Sequence, residues 1–306
     1  MNPKTNILVV LLGPTGIGKT DISIKLAQHF GTEIISADSR QIFKELRIGT
    51  AVPSDQQLQA VKHHLIHSHS IQDYYSVSNF EKDTIRILQR LFQDHRLVIL
   101  TGGSMLYIDT VCHGIDDIPD TDPQIRQTVT DEYNECGIEP IRLRLQKLDP
   151  DYYAKADLKN AKRLLHALEI CIQTGKPYSS FHTQIRKERP FQILKIGLFR
   201  ERQELYERIN RRVDQMMEEG LEEEARRVFP FRKLNSLNTV GYKELFAYFS
   251  GETDRQQAIE LIKRNSRRYA RKQLTWFRGD ESIKWMSPNH PDDIIEHINH
   301  VLSNNQ

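Results

Sequence analysis

Cysteine is scarce in this sequence, which has three among its 306 residues: Cys112, Cys136 and Cys171. Their odd number, their wide spacing and the lack of a C-x-x-C pair argue against a disulfide framework and against structural zinc. We therefore expect buried, reduced thiols and a cytoplasmic location.

Long apolar runs are also missing. The longest is Ile7–Leu12, far shorter than the roughly 20 residues that a membrane-spanning helix needs. This run leads straight into a glycine-rich loop, so we do not expect the N-terminus to act as a signal peptide. The sequence predicts no membrane partner.

A large excess of one charge is absent too, since 43 Lys and Arg face 41 Asp and Glu and leave a net charge of +2. Any surface for nucleic acid must therefore come from local clustering of basic residues. The apolar content of 38% and the charged content of 27% are ordinary for a globular protein. We found no internal repeat and no low-complexity tract.

The most informative motif fits the pattern G-x-x-x-x-G-K-[ST] and consists of Gly13, Pro14, Thr15, Gly16, Ile17, Gly18, Lys19 and Thr20. It follows the strand-like run Ile7–Leu12 and precedes the helix-like stretch 21–30, the order expected for a phosphate-binding loop. Glycines let backbone N–H groups converge on phosphate oxygens, and the helix N-terminus adds partial positive charge. Lys19 adds a full charge, and the Thr20 hydroxyl can join the coordination shell of Mg²⁺. The motif predicts a bound phosphate chain without identifying it.

Strand and helix patterns alternate over the first hundred residues, which predicts an α/β fold with a parallel sheet flanked by helices. Strand-like segments occupy 7–12, 33–37 and 96–101, and helix-like segments occupy 20–30 and 77–94. Ligands bind at the carboxyl ends of such strands. We therefore expect residues 13–20, 38–41 and 101–104 to converge on one cleft.

The pattern changes near residue 113. Helix-like segments follow at 122–135, 138–147, 150–156 and 158–174, without a strong strand. We predict an all-helical insertion, residues 114–190, in an α/β core formed by residues 1–113 and 191–306. In the second part of that core we expect a strand at 191–199, long helices at 202–228 and 254–278, and a tail with a helix at 291–303 that packs on the core edge.

Polar residues at the strand ends could carry chemistry. Asp38 follows the second strand, where a carboxylate can hold Mg²⁺, take a proton or cap the next helix. Ser104 follows Gly102 and Gly103 after the third strand, and its hydroxyl could donate to a phosphate oxygen. We expect most of the next arginines to be solvated and one or two to reach the phosphate cleft: Arg200, Arg202, Arg208, Arg211 and Arg212.

Two further clusters have alternative interpretations. The helix 254–278 is rich in Lys and Arg and also carries aromatic residues, which suits contacts with nucleic acid; the alternative is a basic surface helix with Trp276 facing the core. Four histidines, His63, His64, His67 and His69, could in principle bind a metal. We favour a solvated or hydrogen-bonded loop, because no cysteine and no regular carboxylate pattern accompanies them.

Taken together, these motifs resemble the tRNA dimethylallyltransferases, also called isopentenyl-tRNA transferases (IPP transferase family). The matching stretches occur in the family's order and are 13–20, 36–41, 47–51, 101–107, 161–169, 174–177, 238–245 and 270–278. The resemblance implies a P-loop NTPase-like fold. It also implies transfer of a dimethylallyl group from dimethylallyl diphosphate to N6 of adenine 37, beside the tRNA anticodon, with release of diphosphate.

The resemblance also implies roles for individual residues. The loop 13–20 would hold the diphosphate with Lys19, Thr20 and Mg²⁺, and Asp38 would be the general base. Ser104 stands where a threonine is more usual and keeps the hydroxyl. Arg212 would contact the diphosphate region, with Arg211 as the alternative assignment.

Further residues would contact tRNA, and the helical insertion would grip the anticodon stem-loop. The implied contacts are Asp38, Ser39, Arg40, Gln41, Ser104, Arg126, Lys162, Arg163, Leu164, Leu165, His166, Asn238, Thr239, Val240, Gly241, Tyr242 and Lys243. His166 and Val52 depart from the family pattern, since they replace an arginine and a lysine. We expect a monomer. The main alternative is a P-loop kinase of a small metabolite, and another is a nucleotide-binding regulatory module without chemistry.

Overall fold

The computed structural model describes residues 5–183 and 186–304. The chain separates into two compact units. The core unit comprises Met1–His113 with Glu188–Gln306, and the helical unit comprises Gly114–Lys187. No helix among the described residues combines the length and the apolar character that a membrane crossing requires.

A parallel sheet is the centre of the core unit. Its strands within the described residues are β1 (Ile7–Leu12), β2 (Ile34–Ala37), β3 (His63–His64), β4 (Leu97–Gly102), β5 (Gln192–Leu198) and β6 (Lys284–Met286). They lie in the order β3-β2-β4-β1-β5-β6, and every neighbouring pair is parallel. The predicted α/β class is therefore confirmed, with a P-loop NTPase-like sheet.

Helices cover both faces of this sheet, which explains why its strands read as unbroken apolar runs. In β1, Ile7, Val9 and Leu11 enter one hydrophobic cluster, and the alternate residues Leu8, Val10 and Leu12 enter another. Neither face of the strand is left for solvent, and all six residues are buried. A short continuous run thus encodes a central strand rather than an amphipathic one.

The α-helices of the described residues are α1 (Lys19–Phe30), α2 (Asp55–Ala60), α3 (Val77–Asp94), α4 (Met105–His113), α5 (Pro123–Cys136), α6 (Ile138–Leu148), α7 (Pro150–Tyr153), α8 (Ala161–Thr174), α9 (Arg202–Glu218), α10 (Leu221–Val228), α11 (Tyr242–Phe249), α12 (Arg255–Phe277) and α13 (Pro291–Asn304). The predicted single helix 202–228 is two helices. Gly220 separates them in the left-handed region, at φ 98°. In the tail, β6 adds an edge strand beside β5.

The helical unit consists of α5 to α8 and has its own core. Residues 114–183 and 186–190 contain no strand, as the sequence pattern predicted. Ile141, Leu145, Leu164 and Leu168 are fully buried at its centre. Asp149 is almost fully buried and caps α7, because its carboxylate accepts hydrogen bonds from the N–H groups of Tyr152 and Ser179.

The order of the strands determines where a ligand can bind. β1 lies between β4 and β5, and the chain runs through β2, β3 and β4 on one side before it crosses to β5 on the other. Open α/β sheets bind ligands at such a switch point, outside the carboxyl ends of the strands. The segments that follow β1, β2 and β4 all begin at this edge.

A third hydrophobic cluster, formed largely by α9 to α12, is joined to the loop after β2 by one buried carboxylate. Glu224 is 2% exposed and accepts hydrogen bonds from the N–H groups of Arg47, Ile48 and Gly49. It also accepts one from the hydroxyl of Tyr242, at 2.6 Å. Burial raises the pKa of Tyr242, and the neighbouring Glu224 adds to the effect, so the hydroxyl stays a donor.

This contact makes a stability prediction. Tyr242→Phe removes one donor from the buried Glu224 carboxylate, and we expect the free energy of unfolding to fall by about 1.5–3 kcal/mol. Chemical denaturation monitored by circular dichroism measures the change. Tyr248→Phe in the same helix is the matched control, because no hydrogen bond from its hydroxyl is found within the described residues. Equal stability of the two variants would contradict the role of Glu224.

Candidate active site

The loop after β1 presents unpaired backbone donors at the start of α1. Gly16 and Gly18 adopt positive φ angles of 78° and 103°, which turn the chain sharply before Lys19. Within the described residues, the N–H groups of Gly18, Lys19 and Thr20 donate to no protein acceptor. Such N–H groups and the helix dipole make this end of α1 an anion-binding site.

Lys19 folds back over this loop. Its Nζ donates to the carbonyl oxygens of Gly13 and Pro14, both at 2.9 Å. Burial and, to a smaller extent, the nearby Arg212 lower the pKa of Lys19 to about 7, and Asp38 partly opposes the shift. An anion bound at the loop would favour the charged form, so its binding would be coupled to protonation of Lys19.

Three arginines from β5–α9 contact the loop. Arg200 and Arg208 donate to the carbonyl oxygens of Ile17 and Gly16, at 3.1 and 3.0 Å. Arg212 donates to the hydroxyl of Thr15, at 3.2 Å. Arg211, the neighbouring residue, is exposed. Of the two adjacent arginines, Arg212 is therefore the one that the structure places at the loop, and three arginines reach it where the sequence suggested one or two.

Asp38 lies at the carboxyl end of β2, on the same edge of the sheet. Its Oδ1 accepts hydrogen bonds from the N–H groups of Arg40 and Gln41, at 2.9 and 3.3 Å, so the carboxylate does cap the following turn. No hydrogen bond to its Oδ2 is found within the described residues. The carboxylate raises the pKa of both Lys19 and Arg212, against the larger effect of burial. It therefore lies within electrostatic range of the phosphate loop.

Ser104 joins the end of β4 to this turn. Its Oγ accepts a hydrogen bond from the N–H of Ser39 at 2.9 Å, and its own N–H donates to the carbonyl of Ala37 at 3.2 Å. Gly102 permits the approach, because a Cβ there would lie 2.2 Å from the carbonyl oxygen of Ala37. The three strand-end segments are therefore brought together, as the sequence predicted.

Sequence reasoning gave no role to three residues at this site. Burial raises the pKa of Tyr107 and of Tyr269 to about 12, and Asp38 contributes in the same direction. Both hydroxyls thus stay protonated near the carboxylate. The third residue, Gln273, hydrogen-bonds to both the phosphate loop and the loop after β4. All three lie in or near matched stretches, but their spacing gives no sign of proximity to Asp38.

The other residues expected to contact tRNA in the core unit differ in their exposure and in their contacts with the fold. Arg40 and Gln41 are tied to the fold, since their side chains donate to the carbonyls of Ser236 and of Ala51, respectively. Asn238 and Lys243 are exposed, and Thr239 and Val240 are half-buried. Gly241 is buried and Tyr242 has no exposed surface. The ring of Tyr242 is packed inside the core, so its side chain is not accessible to RNA in this conformation.

In the helical unit, Lys162 and Arg163 are exposed on the first turn of α8. Leu165 is half-buried, but Leu164 has no exposed surface, so its side chain cannot contact RNA. Arg126 and His166 both lie beside the buried Glu169, at 3.4 and 3.6 Å. Burial acts to raise the pKa of Glu169, but its contacts with His166 and Arg126 outweigh burial and lower it.

The described residues contain no group of three or more His, Cys, Asp or Glu that could hold a metal ion. The histidines between α2 and α3 have hydrogen-bonding neighbours instead. His64 contacts Glu33 at 2.5 Å, and His63 contacts the carbonyl of Val61 at 2.8 Å. His67 and His69 contact the carbonyl of Leu46 and the hydroxyl of Ser68.

Comparison with known proteins agrees with this geometry. A family model described as IPP transferase matches residues 41–280. The tRNA dimethylallyltransferase 1 of Bacteroides thetaiotaomicron is 57% identical over 291 residues, covering 95% of this chain and 94% of that protein. The tRNA dimethylallyltransferase 2 of Parabacteroides distasonis is 56% identical and covers 97% of this chain and 99% of that protein.

Solved structures show the same fold. The tRNA isopentenylpyrophosphate transferase of Bacillus halodurans has a TM-score of 0.72 and 34% identity, with 98% of each chain covered. A eukaryotic dimethylallyltransferase acting on tRNA has a TM-score of 0.81 and 25% identity, covering 98% of this chain and 80% of that chain. With a matching family model and relatives that align over nearly the whole length, this chain belongs to the IPP transferase family, the tRNA dimethylallyltransferases.

Proposed function

We propose that the protein transfers a dimethylallyl group from dimethylallyl diphosphate to N6 of adenine 37 in tRNA and releases diphosphate. The observation that carries this proposal is the Asp38 carboxylate, which has one oxygen without a protein donor in the described structure and lies beside a loop built for phosphate. A small-metabolite kinase is not favoured, because the relatives matched over nearly the full chain are dimethylallyltransferases by name.

The loop would bind the diphosphate of the donor. The N–H groups at the start of α1 would donate to its oxygens, with Lys19 and Arg212 as the adjacent cations. Thr20 fits a role in Mg²⁺ binding, since its hydroxyl lies in the first turn of α1 and Mg²⁺ usually binds few protein ligands beside substrate phosphates. When bound, the ion would neutralise charge on the diphosphate. The two side-chain cations stabilise the charge that develops as the diphosphate leaves.

Asp38 would act at the other reactant. The lone pair of the adenine amine is delocalised into the ring, so transfer needs close positioning and removal of a proton. The N6 nitrogen forms a bond to C1 of the dimethylallyl group while the bond from C1 to the diphosphate oxygen breaks. The amine proton passes to the Asp38 carboxylate. Adenine 37 would have to leave its stack to reach this position.

Basic residues of α12 would supply part of the tRNA surface. Arg255, Lys263 and Arg267 of this helix have protein partners. Four others are exposed and form no ion pair within the described residues: Arg264, Arg268, Arg271 and Lys272. The same holds for Arg278, directly after the helix. Trp276 is 48% exposed rather than core-facing, and its Nε1 donates to Asp109 at 2.8 Å. Exposed cations with aromatic neighbours suit a single-stranded loop.

The helical unit would grip the anticodon stem-loop through its own cations. Lys162 and Arg163 are exposed at the start of α8, and Arg126 is partly exposed beside Glu169. His166 stands where an arginine is common, so the permanent charge of a guanidinium is missing there and attraction to phosphate would be weaker. We also propose that the protein acts as a monomer and in the cytoplasm.

The base role of Asp38 can be tested by Asp38→Asn, which keeps the Oδ1 acceptor for the N–H groups of Arg40 and Gln41. We expect kcat to fall by about 10²- to 10⁴-fold, since the variant cannot take the amine proton. The dissociation constant for an anticodon stem-loop should change by less than about threefold, because a phosphate-dominated surface sets that affinity. Single-turnover assays, with mass spectrometry of the RNA, measure the transfer.

Asp73→Asn is the matched control. Asp73 also caps a turn, through the N–H of Ser70, and it is exposed. Its variant should retain wild-type kcat. Turnover of Asp38→Asn at the wild-type rate would remove Asp38 from the base role.

The depressed pKa of Lys19 predicts proton uptake on diphosphate binding. Above pH 7 the free site holds mostly neutral lysine, and the bound anion would restore the charged form. At pH 8 we expect uptake approaching about one proton per site relative to Lys19→Arg, whose guanidinium stays charged. Affinity for diphosphate should weaken more steeply with rising pH in the wild type than in this variant.

Calorimetry in buffers of different ionisation enthalpy measures this uptake. Protons that diphosphate itself exchanges are common to both proteins and cancel in the difference. Identical proton uptake by the wild type and Lys19→Arg would show that Lys19 is already charged in the free protein.

The basic surface predicts a salt effect. Replacement of Arg268, Arg271 and Lys272 together by glutamine should lower tRNA affinity and reduce the slope of log K against log salt by about 0.7–0.9 for each phosphate that the variant no longer neutralises. The matched control replaces Lys82 and Arg90, exposed cations of α3. Binding titrations at several salt concentrations give both slopes. An unchanged slope in the α12 variant would exclude this face as a phosphate-binding surface.

A further inference from the structure

Gln273 bridges two loops of the active site. It lies in α12 and is 1% exposed. Its Oε1 accepts a hydrogen bond from the N–H of Thr15 in the phosphate loop, at 2.9 Å. Its Nε2 donates to the carbonyl oxygen of Gly103, at 2.8 Å. Both ends of one buried amide are therefore used, each on a different segment.

The surroundings leave room for this side chain and for little else. A Cβ on Gly103 would lie 2.3 Å from the Nε2 of Gln273 and 3.4 Å from the carbonyl oxygen of Gly13. The loop after β4 therefore passes close to both the amide and the phosphate loop. The amide of this side chain offers both an acceptor for an N–H and a donor for a carbonyl.

The two anchored segments carry the two halves of the proposed reaction. Thr15 belongs to the loop that would bind the leaving group, and its hydroxyl contacts Arg212. Gly103 precedes Ser104, whose Oγ holds the N–H of Ser39 next to Asp38. Gln273 thus connects the phosphate loop to the loop after β4 through two hydrogen bonds. The hydrogen bond between Ser104 and Ser39 continues this link to the segment that carries Asp38.

The position of Gln273 in α12 extends this connection. Tyr269 precedes it by four residues, so the two side chains lie on one face of the helix, and Tyr269 lies within electrostatic range of Asp38. Trp276 follows by three residues and donates to Asp109 in α4. Through Gln273, α12 therefore contacts the phosphate loop and the loop after β4, and through Trp276 it contacts α4.

We propose that Gln273 is a positioning residue that sets the distance and orientation of the phosphate loop relative to the Ser104–Asp38 segment. The inference rests on the proposed function and extends it. Gln273 would act on the geometry of transfer and not by contacting the substrate, because it is buried and both ends of its amide are already bonded within the protein. A shift of about 1 Å between reacting groups can reduce a rate by about 100-fold.

Two substitutions separate this role from simple burial. Gln273→Leu fills the space without either hydrogen bond. Gln273→Glu is nearly isosteric and keeps the acceptor for Thr15, but an ionised carboxylate faces the carbonyl oxygen of Gly103 without a proton to donate. A protonated carboxyl group restores both hydrogen bonds, so lower pH should rescue this variant alone. Gln256→Glu, an exposed position of the same helix, is the matched control for the added charge.

The experiment measures kcat for transfer to an anticodon stem-loop from pH 5.5 to 8.5, with each variant expressed as a ratio to the wild type. The ratio removes the pH dependence that a variant shares with the wild type. We expect Gln273→Leu to lose about 10- to 100-fold at every pH. Gln273→Glu should lose as much at pH 8.5 and recover at least about threefold toward pH 5.5, while Gln256→Glu stays near one.

Three results would overturn the proposal: a Gln273→Leu ratio near one, a Gln273→Glu ratio that does not change with pH, or a stem-loop dissociation constant that rises as much as kcat falls. The pH response is a comparison within one protein, so it remains informative if Gln273→Leu does not fold. If the wild type does not transfer dimethylallyl, the proposed function fails. The dissociation constant of inorganic diphosphate over the same pH range then tests whether Gln273 still positions the loop.

Discussion

The active site depends on how the carbonyl groups of the phosphate loop are satisfied. Its N–H groups can converge on an anion only if its carbonyls point elsewhere and find donors, since an unpaired buried carbonyl is costly. Lys19 takes two of these carbonyls, and Arg208 and Arg200 take those of Gly16 and Ile17. Arg200 and Arg208, which follow β5 in the chain, therefore help to hold the loop in its anion-binding conformation. The sequence motif supplies the N–H groups that face the anion site. The arginines of α9 and of the segment before it supply donors to the carbonyl groups on the other side of the loop.

The same arrangement places basic side chains around the loop before any ligand binds. Burial disfavours the charged forms of Lys19 and Arg212, and Asp38 only partly offsets it. An incoming diphosphate would relieve this cost, because it supplies the negative charge that the site lacks. Binding of the proposed donor would thus be coupled to the charging of Lys19, and basic side chains already in place would need little rearrangement as the leaving group forms.

Much of this architecture could be predicted from the sequence because its signals are local. The run Ile7–Leu12 and the helix Val77–Asp94 were placed at their observed bounds, and the strand ends that carry Asp38 and Ser104 meet as expected. Gln273 could not be found in this way. A buried glutamine in a basic helix resembles any polar helix residue, and its partners lie 258 and 170 positions away along the chain. Nor does composition separate Lys263, which is paired, from its exposed neighbours in α12.

The contact around Glu224 shows what a family motif can encode. The matched stretches 47–51 and 238–245 are remote in sequence, yet they meet here: a Cβ on Gly49 would lie 2.7 Å from the ring of Tyr242, and both residues donate to Glu224. The resemblance assigned Tyr242 to tRNA binding, but its ring is inside the core. A residue within a stretch assigned to tRNA binding can thus have a structural role, which here is to hold the loop after β2 through Glu224. Asn238 and Lys243, near Tyr242 in the sequence, are exposed, and the buried contact fixes the start of α11, which carries Lys243.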